Sequence, residues 1–217
     1  MTGWDLRGRW RGLRAGVAPP YWQEVIDALA DARSVLDVGC GSDSPLARHR
    51  TRFDHLAGVD AYPAAVEAAR AGGAYDELHE HDVRRLDELW PRDSFDAVAA
   101  IDLLEHLDHE DGAALLDQLE KLARRRVVVF TPNGFVHQHA RDGNPFQVHL
   151  SGWTPAQLRE RGYAVNGVHG LRPLRGPEAR IRLRPHRAWA LVADLSQPLA
   201  RRMPHLAYHL LAVKEAA

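Results

Sequence analysis

Short apolar runs alternate with helix-patterned segments along most of this chain. The runs at residues 34–38, 55–59, 75–81, 95–101 and 126–131 have the length and composition of buried strands, and most segments between them carry apolar residues at helical spacing. Strands that alternate with helices form parallel sheets, because each crossover helix must pack back onto a face of the sheet. The alternation therefore predicts a doubly wound α/β fold with helices on both faces.

The same alternation continues through the last third of the chain. Thr154 and Pro155 predict the start of a helix that Gly162 ends, and residues 163–171 and 206–213 have strand composition. The intervening stretch is rich in Arg and Pro up to residue 187 and then helical with a break at proline. No repeat or linker interrupts the pattern, so we expect one domain over residues 1–217.

Composition limits the classes of function. The 217 residues are 45% hydrophobic and carry a formal net charge of −1, which disfavours nucleic acid as a partner because phosphate binding needs an excess of cations. The lone Cys40 excludes an internal disulfide framework. Neither a signal peptide nor a transmembrane segment is evident, so we expect a cytoplasmic protein. The sequence does not indicate an oligomeric state.

A glycine-rich turn follows the first strand, in the stretch VLDVGCGS at residues 35–42. Glycines at such a turn let a ligand approach the backbone closely. Gly39 and Gly41 match the start of the dinucleotide fingerprint, but Ser44 stands where its third glycine belongs and Pro45 follows. The turn therefore favours a ligand other than a nicotinamide dinucleotide, although a nicotinamide-dependent oxidoreductase remains an alternative.

Acidic residues follow the next strands at the same edge of the predicted sheet. Asp60 ends the second strand, about 20 residues after the turn, where a carboxylate can accept hydrogen bonds from ribose hydroxyls. Asp82 follows the third strand, where it would meet an adenine amino group, and Asp102 follows the fourth. This ordered set predicts an adenosine-containing ligand at the carboxyl edge of the sheet.

With these motifs the sequence resembles the class I S-adenosylmethionine-dependent methyltransferases. VLDVGCGS, GVDAY, HDV and SFDAVAAIDLLEHL are similar to the first four motifs of that class, and VVVFTPNG and SGWTPAQLRERGYAV are similar to its later segments. The resemblance implies S-adenosylmethionine as cofactor and a seven-stranded, mostly parallel sheet whose last strand is antiparallel. Residues 34–171 would form the cofactor-binding core, 1–33 a helical N-terminal cover, 172–205 an acceptor-side insertion and 206–217 the final strand.

The resemblance also implies roles for single residues around the cofactor. The methionine part would be bordered by Asp37, Gly39, Cys40 and Gly41; the ribose by Asp60, Ala61 and Tyr62; the adenine by Asp82 and Val83; and the sulfonium by Ile101 and Asp102. Cys40 is also small and apolar enough to be a packing residue, and we prefer that role to a nucleophilic one.

Histidines beyond the fourth and fifth strands are candidates for a general base. Imidazole titrates near neutrality, and methyl transfer to a hydroxyl oxygen needs a proton acceptor. We expect O-methylation of a small-molecule or glycan-like acceptor, with His106 or His149 as the catalytic base.

Two further alternatives stay open beside the oxidoreductase. Asp102, Glu105, His106 and His149 resemble the metal-binding residues of the small-RNA 3′-terminal 2′-O-methyltransferases, with Asp in place of Glu at the first position. That resemblance implies a metal-assisted RNA ribose methyltransferase, and we leave a divalent metal unassigned at this stage. The other alternative is a non-catalytic module that binds S-adenosylmethionine.

Overall fold

The computed structural model of the chain describes residues 19–140, 143–176 and 179–216. Its strands form one seven-stranded sheet in the order β3-β2-β1-β4-β5-β7-β6, in which β7 runs antiparallel to both of its neighbours. This confirms the predicted fold class. The strands are β1 (Ser34–Val38), β2 (His55–Asp60), β3 (Glu77–Glu80), β4 (Phe95–Ile101), β5 (Ala123–Pro132), β6 (Ala164–Leu171) and β7 (Ala207–Glu215).

Three of the seven helices listed here begin at a side-chain cap, namely those that follow Ser44, Asp108 and Thr154. Asp108 accepts a hydrogen bond from the amide of Asp111, and Thr154 forms a capping box with Gln157. The helices are α1 (Tyr21–Ala28), α2 (Pro45–Arg48), α3 (Pro63–Gly72), α4 (His109–Leu122), α5 (Pro155–Glu160), α6 (His186–Leu195) and α7 (Gln197–Arg202). Within the described residues, no helix is long and apolar enough to cross a membrane.

Apolar side chains cover both faces of the sheet. Successive residues of a strand point to opposite faces, so Leu36 of β1 belongs to the core cluster with α4, whereas Val35 belongs to the cluster with α1. The α4 side contributes Leu115, Leu116 and Leu119, all fully buried, and the α1 side contributes Val25 and Ile26. Burial on both faces explains why the central strands are apolar runs rather than alternating ones.

Several element boundaries differ from the predicted ones. Apolar spacing in the sequence predicts a first helix over residues 20–32 and another over residues 84–90. The latter segment is instead a 3-10 turn, Val83–Glu88, in which Arg85 has a φ of −131°, outside helical geometry. The first helix ends at Ala28 rather than at residue 32, and the N-terminal cover predicted over residues 1–33 lies partly outside the described residues. β7 extends to Glu215 because that residue pairs with Arg126 of β5.

Gly112 of α4 lies where there is no room for a side chain. A Cβ added to Gly112 would stand 2.9 Å from the ring of Trp153 and 3.3 Å from Leu104, and both side chains are buried. We expect Gly112→Ala to lower the free energy of unfolding by about 1–3 kcal/mol because the added methyl group overpacks this contact. Denaturant unfolding followed by circular dichroism measures the change.

Gly72→Ala is the matched control, since Gly72 is also helical and a Cβ there would meet nothing within 4 Å. It should leave stability unchanged or raise it by up to about 1 kcal/mol, because alanine is the better helix former. Equal effects of the two substitutions would contradict the packing described for α4.

Candidate active site

Two chambers open at the carboxyl edge of the sheet. The larger chamber, about 770 Å³, lies over the ends of β1, β2 and β4, and the smaller chamber, about 480 Å³, lies over the ends of β1, β4 and β5. Gly39, Asp102 and His106 line both of them. Groups bound in the two chambers would therefore both contact these three residues.

The glycine turn after β1 forms part of the wall between the chambers. Gly39 and Gly41 have φ values of 69° and 58°, in the left-handed region that favours glycine. A Cβ on Gly39 would stand 2.7 Å from the end of the Leu103 side chain, which would have to move to admit it. The amides of Gly39 and Cys40 both donate to the carbonyl of Val59, which ties the turn to the end of β2.

The carboxylate of Asp60 also fixes the position of the glycine turn, by hydrogen bonds to backbone amides. The amide of Gly41 donates to Asp60 Oδ2 at 2.8 Å, and the amide of Tyr62 donates to Asp60 Oδ1 at 2.8 Å. Each oxygen keeps further lone-pair capacity toward the larger chamber. Asp60 is thereby fixed in orientation and remains able to accept hydrogen bonds from a ligand.

Asp37 is buried beneath the turn and bound by two hydroxyl groups. The Tyr75 hydroxyl donates to Asp37 Oδ2 at 2.8 Å. Burial raises the pKa of Asp37 to about 6, although the hydrogen bonds from Ser44 and Tyr75 oppose that rise. Ser44 also caps α2 by accepting from the amide of Leu46, so the residue that breaks the dinucleotide fingerprint has a structural role in this turn.

The other residues predicted to border the cofactor divide between the chambers. Ala61, Tyr62, Asp82 and Val83 line the larger chamber, whereas Asp37, Cys40 and Ile101 line the smaller one. Burial raises the pKa of the Cys40 thiol, which keeps it protonated and agrees with a packing role.

Asp82 lines the larger chamber, but its carboxylate already has a partner. Arg84 donates to it through Nη2 at 2.6 Å and through its backbone amide at 2.9 Å, and Arg84 also reaches Asp111 at 3.2 Å. A ligand at this position meets an ion-paired carboxylate rather than a lone one.

Asp102 stands at the junction of the two chambers in a backbone conformation that is uncommon outside glycine. Its φ is 48°, and its amide donates to the carbonyl of Phe130 at 2.8 Å. Its side chain is 47% exposed, but this exposure is to the chambers that it lines. The walls of the chambers withdraw part of the carboxyl from water, and this partial desolvation raises its pKa.

Glu105, His106 and His149 converge beside Asp102. One ligand atom from each of the three lies within 4.8 Å of those of the other two. Glu105 is 2% exposed and accepts a hydrogen bond from the Thr131 hydroxyl at 2.9 Å. Burial raises the pKa of Glu105, and the nearby charge of Asp102 raises it further.

Backbone carbonyls orient both imidazoles of this cluster. His106 Nδ1 lies 3.2 Å from the carbonyl oxygen of Val148, and His149 Nδ1 lies 2.5 Å from that of Val136. A carbonyl only accepts, so each Nδ1 carries the proton and each Nε2 is the lone-pair nitrogen of a neutral ring. Burial lowers the pKa of His106 to about 4, which keeps this ring neutral at physiological pH. Such nitrogens suit either a general base or a metal ion, and metal-binding histidines commonly have this backbone partner.

A second pair of histidines, which sequence reasoning missed, also lines the smaller chamber. His169 Nδ1 and His209 Nδ1 are 2.8 Å apart, and His209 Nε2 lies 4.0 Å from Asp102. Burial lowers the pKa of both rings, that of His169 to about 4. Their positions on β6 and β7 depend on the antiparallel pairing of those strands, for which the sequence offers no local signal.

Known proteins support a methyltransferase assignment. Residues 35–126 match the family model described as a methyltransferase domain. No curated protein matches the chain. The match includes the glycine turn, Asp60, Asp82 and the segment that carries Asp102, Glu105 and His106.

Solved structures share the fold at low sequence identity. The methyltransferase domain of bacterial CtHen1 is 18% identical with a TM-score of 0.57, covering 91% of this chain and 97% of its own. The complex between the Haloferax volcanii Trm112 methyltransferase activator and a methyltransferase matches at 19% and 0.59, covering 96% and 95%. Magnesium protoporphyrin IX methyltransferase from Synechocystis PCC 6803 with bound S-adenosylmethionine matches at 17% and 0.53, covering 91% and 80%. These likenesses establish the fold.

Asp60→Asn tests whether the larger chamber holds adenosine. The substitution removes the charge and leaves one acceptor oxygen where the amides of Gly41 and Tyr62 now use two. We expect affinity for S-adenosylhomocysteine to fall by at least about tenfold, since hydrogen bonds to a charged group are worth about 1.5–3 kcal/mol each. Titration calorimetry measures the affinity, with circular dichroism as a check of folding.

Asp54→Asn is the control, because the Asp54 side chain is 78% exposed and makes only a 3.9 Å ion pair with Arg33. The affinity of the Asp54→Asn variant for S-adenosylhomocysteine should equal that of the unmodified chain. If Asp60→Asn behaves like this control, the carboxylate does not contact the cofactor.

Proposed function

Because the chain is a class I S-adenosylmethionine-dependent methyltransferase, we propose that it methylates a hydroxyl group of a small-molecule or glycan-like acceptor. The observation that carries this proposal is the junction of the two chambers. Asp102 and His106 line both. A donor with its adenosine in the larger chamber and its methionine part beside Asp37 and Cys40 would therefore present its methyl group to an acceptor near His106 in the smaller chamber. The smaller chamber, about 480 Å³, is in the size range of small-ligand pockets.

The larger chamber fits the adenosine end of the cofactor. Asp60 offers fixed carboxylate oxygens for ribose hydroxyls, and the apolar walls from Ala61 and Val83 suit an adenine ring. When bound, the cofactor supplies a sulfonium methyl group that bonds to the acceptor oxygen as its bond to sulfur breaks. The residues of the chain then align the acceptor and take up its hydroxyl proton.

His106 and His149 are suited to the proton transfer. Each ring has its Nδ1 proton held by a backbone carbonyl, which leaves Nε2 as the basic atom. The two ring centroids are 4.8 Å apart, so an acceptor hydroxyl beside one ring also lies near the other. The low pKa of His106 keeps its lone pair available but makes it a weak proton acceptor, so the proposal includes both rings.

A metal-assisted RNA ribose 2′-O-methyltransferase is the second candidate, favoured by the cluster of Glu105, His106 and His149. A buried carboxylate and two imidazole lone pairs within 4.8 Å of one another fit a divalent cation such as Mn²⁺. These three residues would hold the ion, which would supply a Lewis acid for the acceptor hydroxyl.

His106→Ala and His149→Ala test the proposed bases. We expect each variant to lose about 10²-fold or more in methyl-transfer rate, because general-base catalysis contributes about 10²–10⁴-fold. Affinity for S-adenosylhomocysteine should stay within a few-fold of the unmodified chain. The assay follows transfer of a labelled methyl group to pooled small-molecule and glycan hydroxyl acceptors, and full activity in both variants would rule out this role.

The same assay with RNA as acceptor separates the two candidates. Under the small-molecule proposal, activity persists after chelation with EDTA, and RNA accepts no methyl groups. Under the metal-assisted candidate, EDTA abolishes transfer, Mn²⁺ restores it, and RNA with a free 3′ ribose is methylated. Asp54→Asn again provides the control for nonspecific effects of substitution.

A further inference from the structure

Exposed apolar side chains are concentrated in helices α6 and α7 and in the segment just before them. Of the nine large apolar side chains that are exposed in the described part of the chain, six lie within residues 183–203. These six, here called the leucine face, are between 40% and 61% exposed: Leu183, Leu191, Val192, Leu195, Leu199 and Met203. Clusters of exposed apolar side chains mark sites of contact with proteins or membranes more often than ordinary surface.

The packing of α6 and α7 on β6 determines which side of each helix is exposed. Ala193 of α6 and Ala200 of α7 are buried. A Cβ added to Gly170 of β6 would collide with the carbonyl oxygen of Ala193, and one added to Gly167 would collide with that of Ala200. Both helices therefore rest on the same strand, which is the edge strand of the sheet, and their opposite sides face away from it.

The outward sides of the two helices carry apolar residues at helical spacing. Leu191 and Leu195 are four residues apart in α6, whereas Leu199 lies in α7 and Met203, four residues later, directly follows that helix. Side chains at this spacing are neighbours on a helix surface, so each helix presents a short apolar stripe. Only Ser196 separates the two helices in the chain. The leucine face is therefore built from two neighbouring stripes.

Exposed arginines lie at both ends of this helix pair: Arg184, Arg187, Arg201 and Arg202. Arg201 pairs with Glu24 at 2.6 Å. The single carboxylate within residues 183–203 belongs to Asp194, which is buried. This segment therefore carries an excess of exposed positive charge beside its apolar stripes, although the formal net charge of the whole chain is −1.

We propose that the leucine face docks on the surface of a lipid bilayer that contains anionic lipids. Helices that lie flat on a bilayer bury apolar side chains at the boundary between head groups and acyl chains, and their basic residues are attracted to anionic lipids. The leucine face supplies the apolar side chains, and the four arginines at the ends of the helix pair supply the positive charge.

Other occupants of the leucine face fit this combination less well. A symmetric contact with a second copy of the chain would bring the arginines of both copies together. Residues 1–18 contain four arginines and one carboxylate, so they would meet the same repulsion. The six side chains of the face include no aromatic residue, whereas aromatic anchors dominate the energetics of most protein interfaces.

The leucine face adjoins the surroundings of the smaller chamber. Leu199 also lines a cavity of about 810 Å³, and Val136 and Tyr208 line both that cavity and the smaller chamber. Docking by the leucine face would therefore hold the smaller chamber close to the bilayer. Binding to a bilayer requires no methyl transfer, so its test is independent of the proposed function.

Sedimentation of the full chain with lipid vesicles tests the proposal. One set of vesicles is phosphatidylcholine alone, and the other contains phosphatidylcholine and phosphatidylserine in equal amounts. We expect binding to the anionic vesicles that weakens as salt is added, because salt screens the attraction between arginines and lipid head groups. Leu195→Gln should weaken this binding by about tenfold, because one apolar side chain no longer leaves water.

Leu150→Gln is the matched control, since Leu150 is 60% exposed and Leu195 is 61% exposed, but Leu150 lies at the larger chamber. It should leave vesicle binding unchanged. Arg187→Gln should weaken binding to anionic vesicles by about fivefold, as expected for loss of one cation near the lipid surface. Arg159→Gln, at an exposed position of α5, should have no such effect. Circular dichroism checks that each variant is folded.

Three results would overturn the proposal. Absence of binding to the anionic vesicles would rule out the bilayer and leave a protein partner for the leucine face. Equal vesicle binding by Leu195→Gln and Leu150→Gln would show that another part of the chain contacts the lipid. A dimer of the unmodified chain that Leu195→Gln dissociates, seen by sedimentation velocity without lipid, would assign the face to a second copy.

Discussion

The parallel pairing of β1 with β2 and β4 is the constraint on which the whole site depends. Asp37 pairs with Gly58 and with Ala99, so the three strands end at nearly the same level of the sheet. The residues that follow those strands, including Gly39, Asp60 and Asp102, are therefore held at one edge although about 60 positions separate the first from the last. The glycine turn lies between those strand ends and separates the two chambers.

Hydrogen bonds and backbone geometry then fix this edge before any ligand arrives. Asp60 holds the amides of Gly41 and Tyr62, and the left-handed glycines let the turn fold back onto Val59. Ordering of this kind lowers the entropy that ligand binding must overcome. The same rigidity extends to the cluster at the smaller chamber, where Glu105 is held by Thr131 and the two imidazoles are held by backbone carbonyls.

Much of this architecture can be predicted from the sequence, because it is determined by residues that are close together in the chain. The strand at residues 95–101 has the predicted bounds, because an apolar run between charged turns identifies it without tertiary information. The capping box at Thr154 and Gln157 is likewise local. The 3-10 turn at Val83–Glu88 was not predicted, because its apolar spacing is helical while Arg85 departs from helical geometry.

Contacts that depend on long-range register could not be predicted. His209 faces Pro132 and Val168 faces His209 only because β7 inserts antiparallel between β5 and β6, and no local pattern specifies that register. Only the resemblance to the small-RNA methyltransferases grouped His149 with Glu105, because their convergence requires the loop after β5 to fold back. The amides of Leu150 and Ser151 hold that fold by donating to the Glu105 carbonyl.

A crystal structure with S-adenosylhomocysteine bound would show whether the larger chamber holds the adenosine of the methyl donor. We predict adenosine in the larger chamber, with ribose hydroxyl oxygens within about 3.2 Å of the Asp60 carboxylate oxygens. We also predict that the sulfur atom is directed toward Asp102 and His106. Adenosine in the smaller chamber, or a sulfur atom directed away from His106, would contradict these predictions.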